Sequence, residues 1–541
     1  MQCLHTSEAR RKISLSVLNC TRQLSLVLVS SMFVLVWACS GGGGGNQAAQ
    51  SAGGGIAFSL RFPPTASAGH ASNSLIQAAV VDCASYGIDR VDVQVFDEYQ
   101  ALIVQGGPWG CAVGEGIVDG VPVGTNRSIV ISLKDDTGRP VLTGSKSGIT
   151  VISGQITDIG IISLVQAEET RVWNTTFGGS GYDGAYTVQQ TKDGGYILAG
   201  ETASYGAGSY DVWLIKTDAD GNEQWNKTFG GSGEDEAWSF QQTKDGGYIL
   251  AGRTSSYGAG SYDAWLIKTD ANGKEQWNKT FGGSGDEAAR SVQQTKDGGY
   301  ILAGYTTSYG AGSYDAWLIK TDANGNKVWD KTFGGSNGDS AYAVQQMSDG
   351  GYLLAGDTQS FGAGGYDAWL IKTDANGNKV WDITFGGSSS DSAYALLQTS
   401  DGGYILAGYT ASFGAGGGDA WLIKTDANGN KVWDKTFAGS GVDKAYSVKQ
   451  TKDGGYILAG WTRPYDTDYY DAWLIKTDTN GNKQWDKTFG GSDEDEAWSV
   501  QQTKDGGYIM TGVTTSYGAG SYDVWLIKTD AEGNAPATPT P

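Results

Sequence analysis

The sequence predicts an all-β chain. A seven-bladed β-propeller of four-stranded blades, with the N-terminal strand closing the last blade, follows an immunoglobulin-like β-sandwich. Three observations carry this. The phrase TKDGGYILAG at 191–200 returns almost unchanged at 243, 295, 347, 399, 451 and 503, always 52 residues further on. A tryptophan recurs at the same spacing from Trp173 to Trp485 without one insertion. The array opens on a lone fourth-strand sequence, RVWNTTF, and closes on a third-strand sequence, DVWLIKTD. A fixed period of this length marks stacked supersecondary units, and the offset ends let the first strand complete the last unit. An open solenoid gains nothing from that permutation and needs polar caps instead.

Residues 1–38 read as an address. Arg10, Arg11, Lys12 and Arg22 precede the apolar run LSLVLVSSMFVLVWAC, which is short for a membrane span. The run resembles a bacterial lipoprotein signal, with Val36, Ala38 and Cys39 matching the lipobox. That resemblance implies cleavage before Cys39, lipid on Cys39 and, with Ser40 following, delivery to the outer membrane. An ordinary signal peptide or an uncleaved anchor is the alternative. Residues 39–55 form a Gly-rich tether. Besides Cys39, the mature chain keeps Cys83 and Cys111. In an oxidising compartment these pair as a disulfide; otherwise they are two buried thiols.

Residues 56–167 contain strand-length pieces with alternating apolar letters: IAFSLRF, VDVQVF, ALIV, SIVISL, PVLTG, ITVIS and TDIGIIS. With DDTG and SGQ turns between them, they predict an antiparallel sandwich acting as a spacer. The lone His70 carries no chemistry.

Residues 171–534 are the propeller. The first full unit offers AYTVQQT (185–191), GGYILAGET (194–202), DVWLIKTD (211–218) and EQWNKTF (223–229) as its four strands. Its Asp-Gly turns are strong hairpin signals. One such unit is apolar on both faces and needs a neighbour on each side. Fourteen of the nineteen tryptophans fall at two repeated positions, as packing between blades requires. Residues 535–541, APATPTP, read as a Pro-rich linker tail.

The motif GGSGxDxAYxVQQTKDGGYILAGxTxSYGAGxYDxWLIKTDANGNxxW resembles the repeats of secreted seven-bladed propeller proteins of bacteria and archaea, and more distantly those of Kelch and quinoprotein-type propellers. The resemblance covers residues 171–534. It implies the fold and leaves activity open, although some such proteins carry an endoglucanase label.

A formal charge of −21 argues against nucleic acid or anionic lipid as the partner of the folded part. The longer loops of each unit display an aromatic residue, Tyr205 to Tyr517, and acids at the positions of Asp183 and Asp211. Aromatic rings with carboxylates suit sugar binding and could equally bind cations. The plainer reading is that each Asp caps its own loop through backbone N–H groups. The turn DADGNE falls short of a calcium loop, because the twelfth position holds Phe229 in place of a bidentate glutamate.

Departures from the repeat mark candidate binding residues. The sixth unit gathers Trp461, Arg463, Tyr465, Asp466, Asp468 and Tyr469, and the third places Arg290 where the others carry Tyr or Trp. Residues 171–534 hold no histidine or cysteine, which excludes Ser-His-Asp and Cys-His catalysis there. A two-carboxylate glycoside hydrolase is the surviving enzyme class. The reading is a monomeric, lipid-anchored, non-catalytic scaffold without cofactor that binds glycan or protein on its loop-rich face. A carbohydrate-active enzyme and a purely structural envelope component are the alternatives.

Overall fold

A computed structural model of the chain describes residues 53–61, 90–96, 102–110, 118–134, 140–152, 156–163, 165–166, 171–439, 441–463, 469–537 and 539. Residues 1–38, read above as a signal, and Cys39, His70, Cys83, Cys111, Tyr465, Asp466 and Asp468 lie outside the described residues. The chain divides into two compact units, Met1–Ala167 and Glu168–Pro541.

Among the described residues, the first unit has two sheets. A five-stranded antiparallel sheet runs in the order Leu102–Gly110, Arg90–Phe96, Gly124–Lys134, Pro140–Val151, Val165–Gln166. Its apolar alternation buries Val93, Val95, Ile129, Ile131 and Leu133 completely. The second sheet is mixed. Gly53–Arg61 lies between Val118–Pro122 and Ile156–Ser163 and pairs in parallel with the latter, a departure from the antiparallel sandwich. A parallel pair is joined by a crossover, which turn letters do not announce. The first strand also begins at Gly53, inside the Gly-rich stretch read as tether. PVLTG and ITVIS form one strand, Pro140–Val151, with Gly148 at φ 73° where a turn was expected.

Among the described residues, the second unit consists of seven four-stranded antiparallel sheets, the repeating architecture of a β-propeller. The first sheet contains Asp183–Gln190, Tyr196–Thr202, Asp211–Thr217 and Glu223–Phe229. The seventh contains Asp495–Gln502, Tyr508–Thr514, Asp523–Thr529 and the N-terminal strand Trp173–Phe177, with Val524 opposite Phe177 and Lys528 opposite Trp173.

The second and third strands of the first sheet are buried at every residue, which is why YILAG and VWLIK read as continuous apolar runs. Ile197, Val212 and Leu214 of the first sheet pack on Tyr248, Leu250 and Trp265 of the second. Tyr196, Leu198 and Trp213 of the first sheet pack in the same way against Ile509, Val524 and Leu526 of the seventh.

Glutamines link neighbouring first strands. The amide N–H of Gln242 donates to Gln189 Oε1 (3.3 Å), that of Gln294 to Gln241 (2.6 Å) and that of Gln190 to Gln501 (2.8 Å). Leu397 and Lys449 occupy the glutamine position in the fifth and sixth sheets, and neither offers such an acceptor.

The tight turns are held by their own side chains. Asp218 Oδ1 accepts from the backbone N–H groups of Asp220 and Asn222 (both 2.9 Å), and Gly221 adopts φ 82°. Lys216, almost fully buried, donates to the Thr217 carbonyl (2.7 Å) and pairs with Asp193 (3.0 Å), pinning the KDGG turn to the third strand. The tail read as linker is anchored at its start. Asn174 Nδ2 donates to the Pro536 carbonyl (2.7 Å), and the Tyr517 hydroxyl donates to the Ala537 carbonyl (3.1 Å).

Candidate functional site

The loop acids are caps. Asp183 has no exposed surface; its Oδ2 accepts from Gly179 N–H (2.8 Å) and the Ser204 hydroxyl (2.5 Å), and Thr202 donates to its Oδ1. Asp211, equally buried, accepts from Ala207 and Gly208 N–H (2.8 and 2.9 Å). The same bonds recur in later repeats, so these carboxylates order the loops and do not face a ligand. The accompanying aromatics stay half exposed: Tyr205 rests on Trp213 (5.3 Å) and donates to the Gly178 carbonyl (2.8 Å). Among the described residues, no group of three or more His, Cys, Asp or Glu side chains is placed to hold a metal ion.

A different feature aims side chains away from the sheets. In every first strand the register slips by one residue. Ala185 pairs with Gly200 and Thr187 with Ala199, which leaves Tyr186 as a bulge. Trp238, Arg290, Tyr342, Tyr394, Tyr446 and Trp498 are the bulge residues of the other sheets. The glycine of YILAG makes this possible, because a Cβ on Gly200 would stand 1.9 Å from the Gly184 carbonyl oxygen. Six of the seven bulge residues are aromatic and the seventh is a guanidinium.

Neighbouring bulge side chains touch in three groups. Trp498 stacks on Tyr186 at 4.3 Å and 13°, Tyr342 meets Tyr394 at 5.3 Å, Tyr394 meets Tyr446 at 5.2 Å, and Arg290 lies 3.7 Å over Trp238. The second strands add the position of Glu201, which changes through Arg253, Tyr305, Asp357, Tyr409, Trp461 and Val513. Together the two positions form a collar in which the bulge is Tyr, Trp or Arg and the position of Glu201 takes six different residues.

Burial sets the collar's electrostatics. Glu201 accepts from the Tyr186 hydroxyl (2.6 Å); burial, reinforced by Glu236, pushes its carboxyl up to about 8. Glu236 is ion-paired with Arg253, whose Nε donates to it at 3.1 Å, and this pairing raises the guanidinium pKa although burial opposes it. Asp357, also buried, accepts from Ser392 (2.8 Å) and Tyr342 (3.2 Å) and is raised to about 6 by burial. Burial also raises Glu496, which accepts from Trp498 Nε1 (2.6 Å). Lys444 lies 5.4 Å from the rings of both Tyr409 and Trp461, and burial lowers its ammonium pKa.

Of the residues singled out from sequence, Arg290 and Trp461 belong to the collar, three sheets apart, with Trp461 Nε1 donating to the Tyr446 hydroxyl (3.2 Å). Arg463 and Tyr469 are exposed. Sequence reading missed Glu201, Glu236, Asp357 and Lys444. A signal for the collar was present: the repeat region's tryptophans outside the two packing positions are Trp238, Trp461 and Trp498, and all three lie in it.

No protein-family profile matches the chain. Over 215 residues, 34% of the chain, it is 26% identical to the regulatory protein FlaEY of Caulobacter vibrioides, and the match spans 22% of that protein's length. Among solved structures it is similar to the Pan2 WD40 domain of Neurospora crassa, with 13% identity and a TM-score of 0.40 over 66% of this chain and 96% of that one. It is also similar to Sqt1 of Chaetomium thermophilum, with 13% identity and a TM-score of 0.38 over 63% of this chain and 83% of that one. For YCF48 bound to D1 peptide the values are 9% and 0.38, over 66% of this chain and 97% of that one. None of these likenesses informs the reading of the collar.

Proposed function

We propose that the second unit is a closed seven-bladed propeller serving as a non-catalytic binding scaffold, with the collar as its ligand site. In this reading the ligand is a glycan or a protein segment, and lipid on Cys39 holds the chain at a bacterial envelope. One observation carries the choice of site: in an otherwise near-identical repeat the position of Glu201 takes six different residues, beside a bulge position that holds only Tyr, Trp or Arg. Packing alone gives no reason for such variety, whereas recognition needs it. The collar's half-exposed rings offer flat faces, and its polar groups offer fixed donors and acceptors.

A second reading has a specific observation behind it. Glu201 is held protonated near neutral pH beside Glu236, which is ion-paired with Arg253. A glycoside hydrolase needs one carboxyl in each state. Incubating the full chain with a polysaccharide panel separates the two readings. The scaffold predicts bound protein on pelleted polymer, lost in Trp498→Ala, without new reducing ends. Release of reducing ends that Glu201→Gln abolishes would replace the scaffold with a hydrolase. Radiolabelled palmitate incorporation that survives Cys39→Ala would remove the anchor from the proposal.

A further inference from the structure

Charge is unevenly spread around the collar. Among the described residues, the seventh, first and second sheets bring Glu494, Glu496, Glu201, Glu234 and Glu236 to it, against one cation of their own, Arg253. Lys444 of the sixth sheet acts on Glu496 electrostatically and offsets part of that excess. Elsewhere the signs are mixed: Arg290 and Asp357 both act on Tyr342, in opposite directions.

Acidic side chains alone make no site. Glu201, however, is only 5% exposed; one of its oxygens accepts from Tyr186, and Oε2 is buried with no donor among the described residues. Asp357 Oδ1 and Arg290 Nε share that condition, but they stand where opposite charges balance. Around Glu201 the carboxyls Glu236 and Glu234 face the single guanidinium of Arg253, which is already ion-paired with Glu236.

The second sheet shows how this wall holds a cation. Arg253 occupies the position of Glu201; its guanidinium lies 4.1 Å over Tyr262 and 5.3 Å over Trp238, beside Glu236. The first sheet keeps the rings, with Tyr210 for Tyr262 and Tyr186 for Trp238, and loses the cation, with Glu201 for Arg253 and Gly184 for Glu236. Its second carboxyl comes from the seventh sheet. Burial, then Glu201 and Glu496, raise the Tyr182 phenol, which places both carboxyls within reach of one side chain. Tyr186, Tyr210 and Glu496 are half-buried, so this nest opens to the surface.

We infer that the nest receives the guanidinium of an arginine on a partner protein, its flat face over Tyr186 and Tyr210 and its edge toward Glu201 and Glu496. The inference rests on the collar being the binding site, and it chooses protein over glycan as the ligand. A guanidinium uses both the ring faces and the paired acceptors, whereas an ammonium is a point charge without a flat face. Tyr182, Tyr186, Tyr210, Glu234, Glu236 and Arg253 are the titratable and charged groups facing Glu201. Among them it keeps its proton near neutral pH, and an arriving guanidinium takes that proton's place, so affinity rises as pH rises toward about 8.

The test titrates the full chain, labelled with 5-fluorotryptophan, with the peptide acetyl-Gly-Ser-Arg-Ser-Gly-amide, its citrulline counterpart of the same shape without charge, and dextran. Fluorine NMR reads affinity and shows whether the Trp498 signal moves. The variant Glu496→Ser takes the residue of Ser340, Glu201→Gln keeps the shape, and Glu532→Asn removes an acid from a tight turn by taking the residue of Asn272. Thermal unfolding checks that each folds. The arginine peptide is expected to bind, to move Trp498 and to bind more tightly at about pH 8 than at about pH 6. Citrulline, Glu201→Gln and Glu496→Ser are each expected to cost roughly tenfold, the scale of one charge-assisted hydrogen bond, and Glu532→Asn nothing. Absence of arginine-peptide binding, equal binding of the citrulline peptide, indifference to both collar substitutions, an equal loss in Glu532→Asn, or affinity that does not rise with pH would overturn the inference. If dextran binds and Trp498→Ala abolishes it while the arginine peptide stays unbound, the collar reading survives without the arginine. If Trp498→Ala changes the binding of no ligand that binds, both fall.

Discussion

Replacing Trp173 by alanine asks whether the seven sheets stand or fall together. Trp173 is 6% exposed, packs with Leu198, Trp213 and Leu526, and meets Tyr196 edge-on at 5.7 Å. Truncating a buried tryptophan costs about 3–5 kcal/mol. In an open stack that loss would fall on the seventh sheet alone, because Trp173–Phe177 pairs only with Asp523–Thr529. In a closed ring every sheet leans on this seam, so the free energy of global opening drops by the whole amount. At 1.4 kcal/mol per decade, this is roughly two to three and a half decades of faster amide exchange. Hydrogen-exchange mass spectrometry of the full chain reads it from peptides covering 300–306 and 352–358, in the third and fourth sheets, beside 508–514 in the seventh. Equal acceleration in all three is expected. Acceleration confined to 508–514 would refute closure through the N-terminal strand.

Other outcomes follow from the same geometry. Asp401 is held down to about 2 by hydrogen bonds from Thr399, Lys424 and Gly403 despite burial, which acts the other way. Its folded pKa lies below its unfolded value, so it contributes stability above about pH 4 and loses it as pH falls toward 2; Lys424→Met should raise the midpoint of acid unfolding. Glu201 has the opposite sign. The folded state keeps its proton up to about pH 8 while the unfolded chain loses it near 4.5, so stability declines between those values. Glu201→Gln should therefore raise the Tm at pH 8 and leave it unchanged at pH 4. Truncation after Asn534 removes the bonds to Pro536 and Ala537, and calorimetry should show a loss of about 1 kcal/mol for each.

Most of the second unit was legible because its information is local and repeated. The strand DVWLIKTD at 211–218 appears as Asp211–Thr217, and EQWNKTF appears residue for residue as Glu223–Phe229. Loop capping by Asp183 and Asp211 was likewise readable, since an aspartate directly after a Gly- and Ser-rich segment has backbone donors at hand. The collar was not. Tyr186 sits in a strand whose alternation assigns it to a sheet face, and only the slip between Ala185 and Thr187 takes it off the ladder. The parallel pairing of Gly53–Arg61 with Ile156–Ser163 escaped for the same reason, because partners a hundred residues apart leave no local mark.

The bulge has a consequence for how such a chain acquires a new partner. Its residue lies outside the hydrogen-bond ladder, and the close approach that creates it is made by the Gly200 backbone, so the wall is indifferent to which side chain is shown there. Duplicating the 52-residue unit delivers a finished wall with one letter left to choose. Tyrosine, tryptophan and arginine have all been chosen at that place in this one molecule. Inheritance can therefore rewrite the recognition surface one codon at a time without renegotiating the fold, and a laboratory library confined to the seven bulge codons would explore the same space.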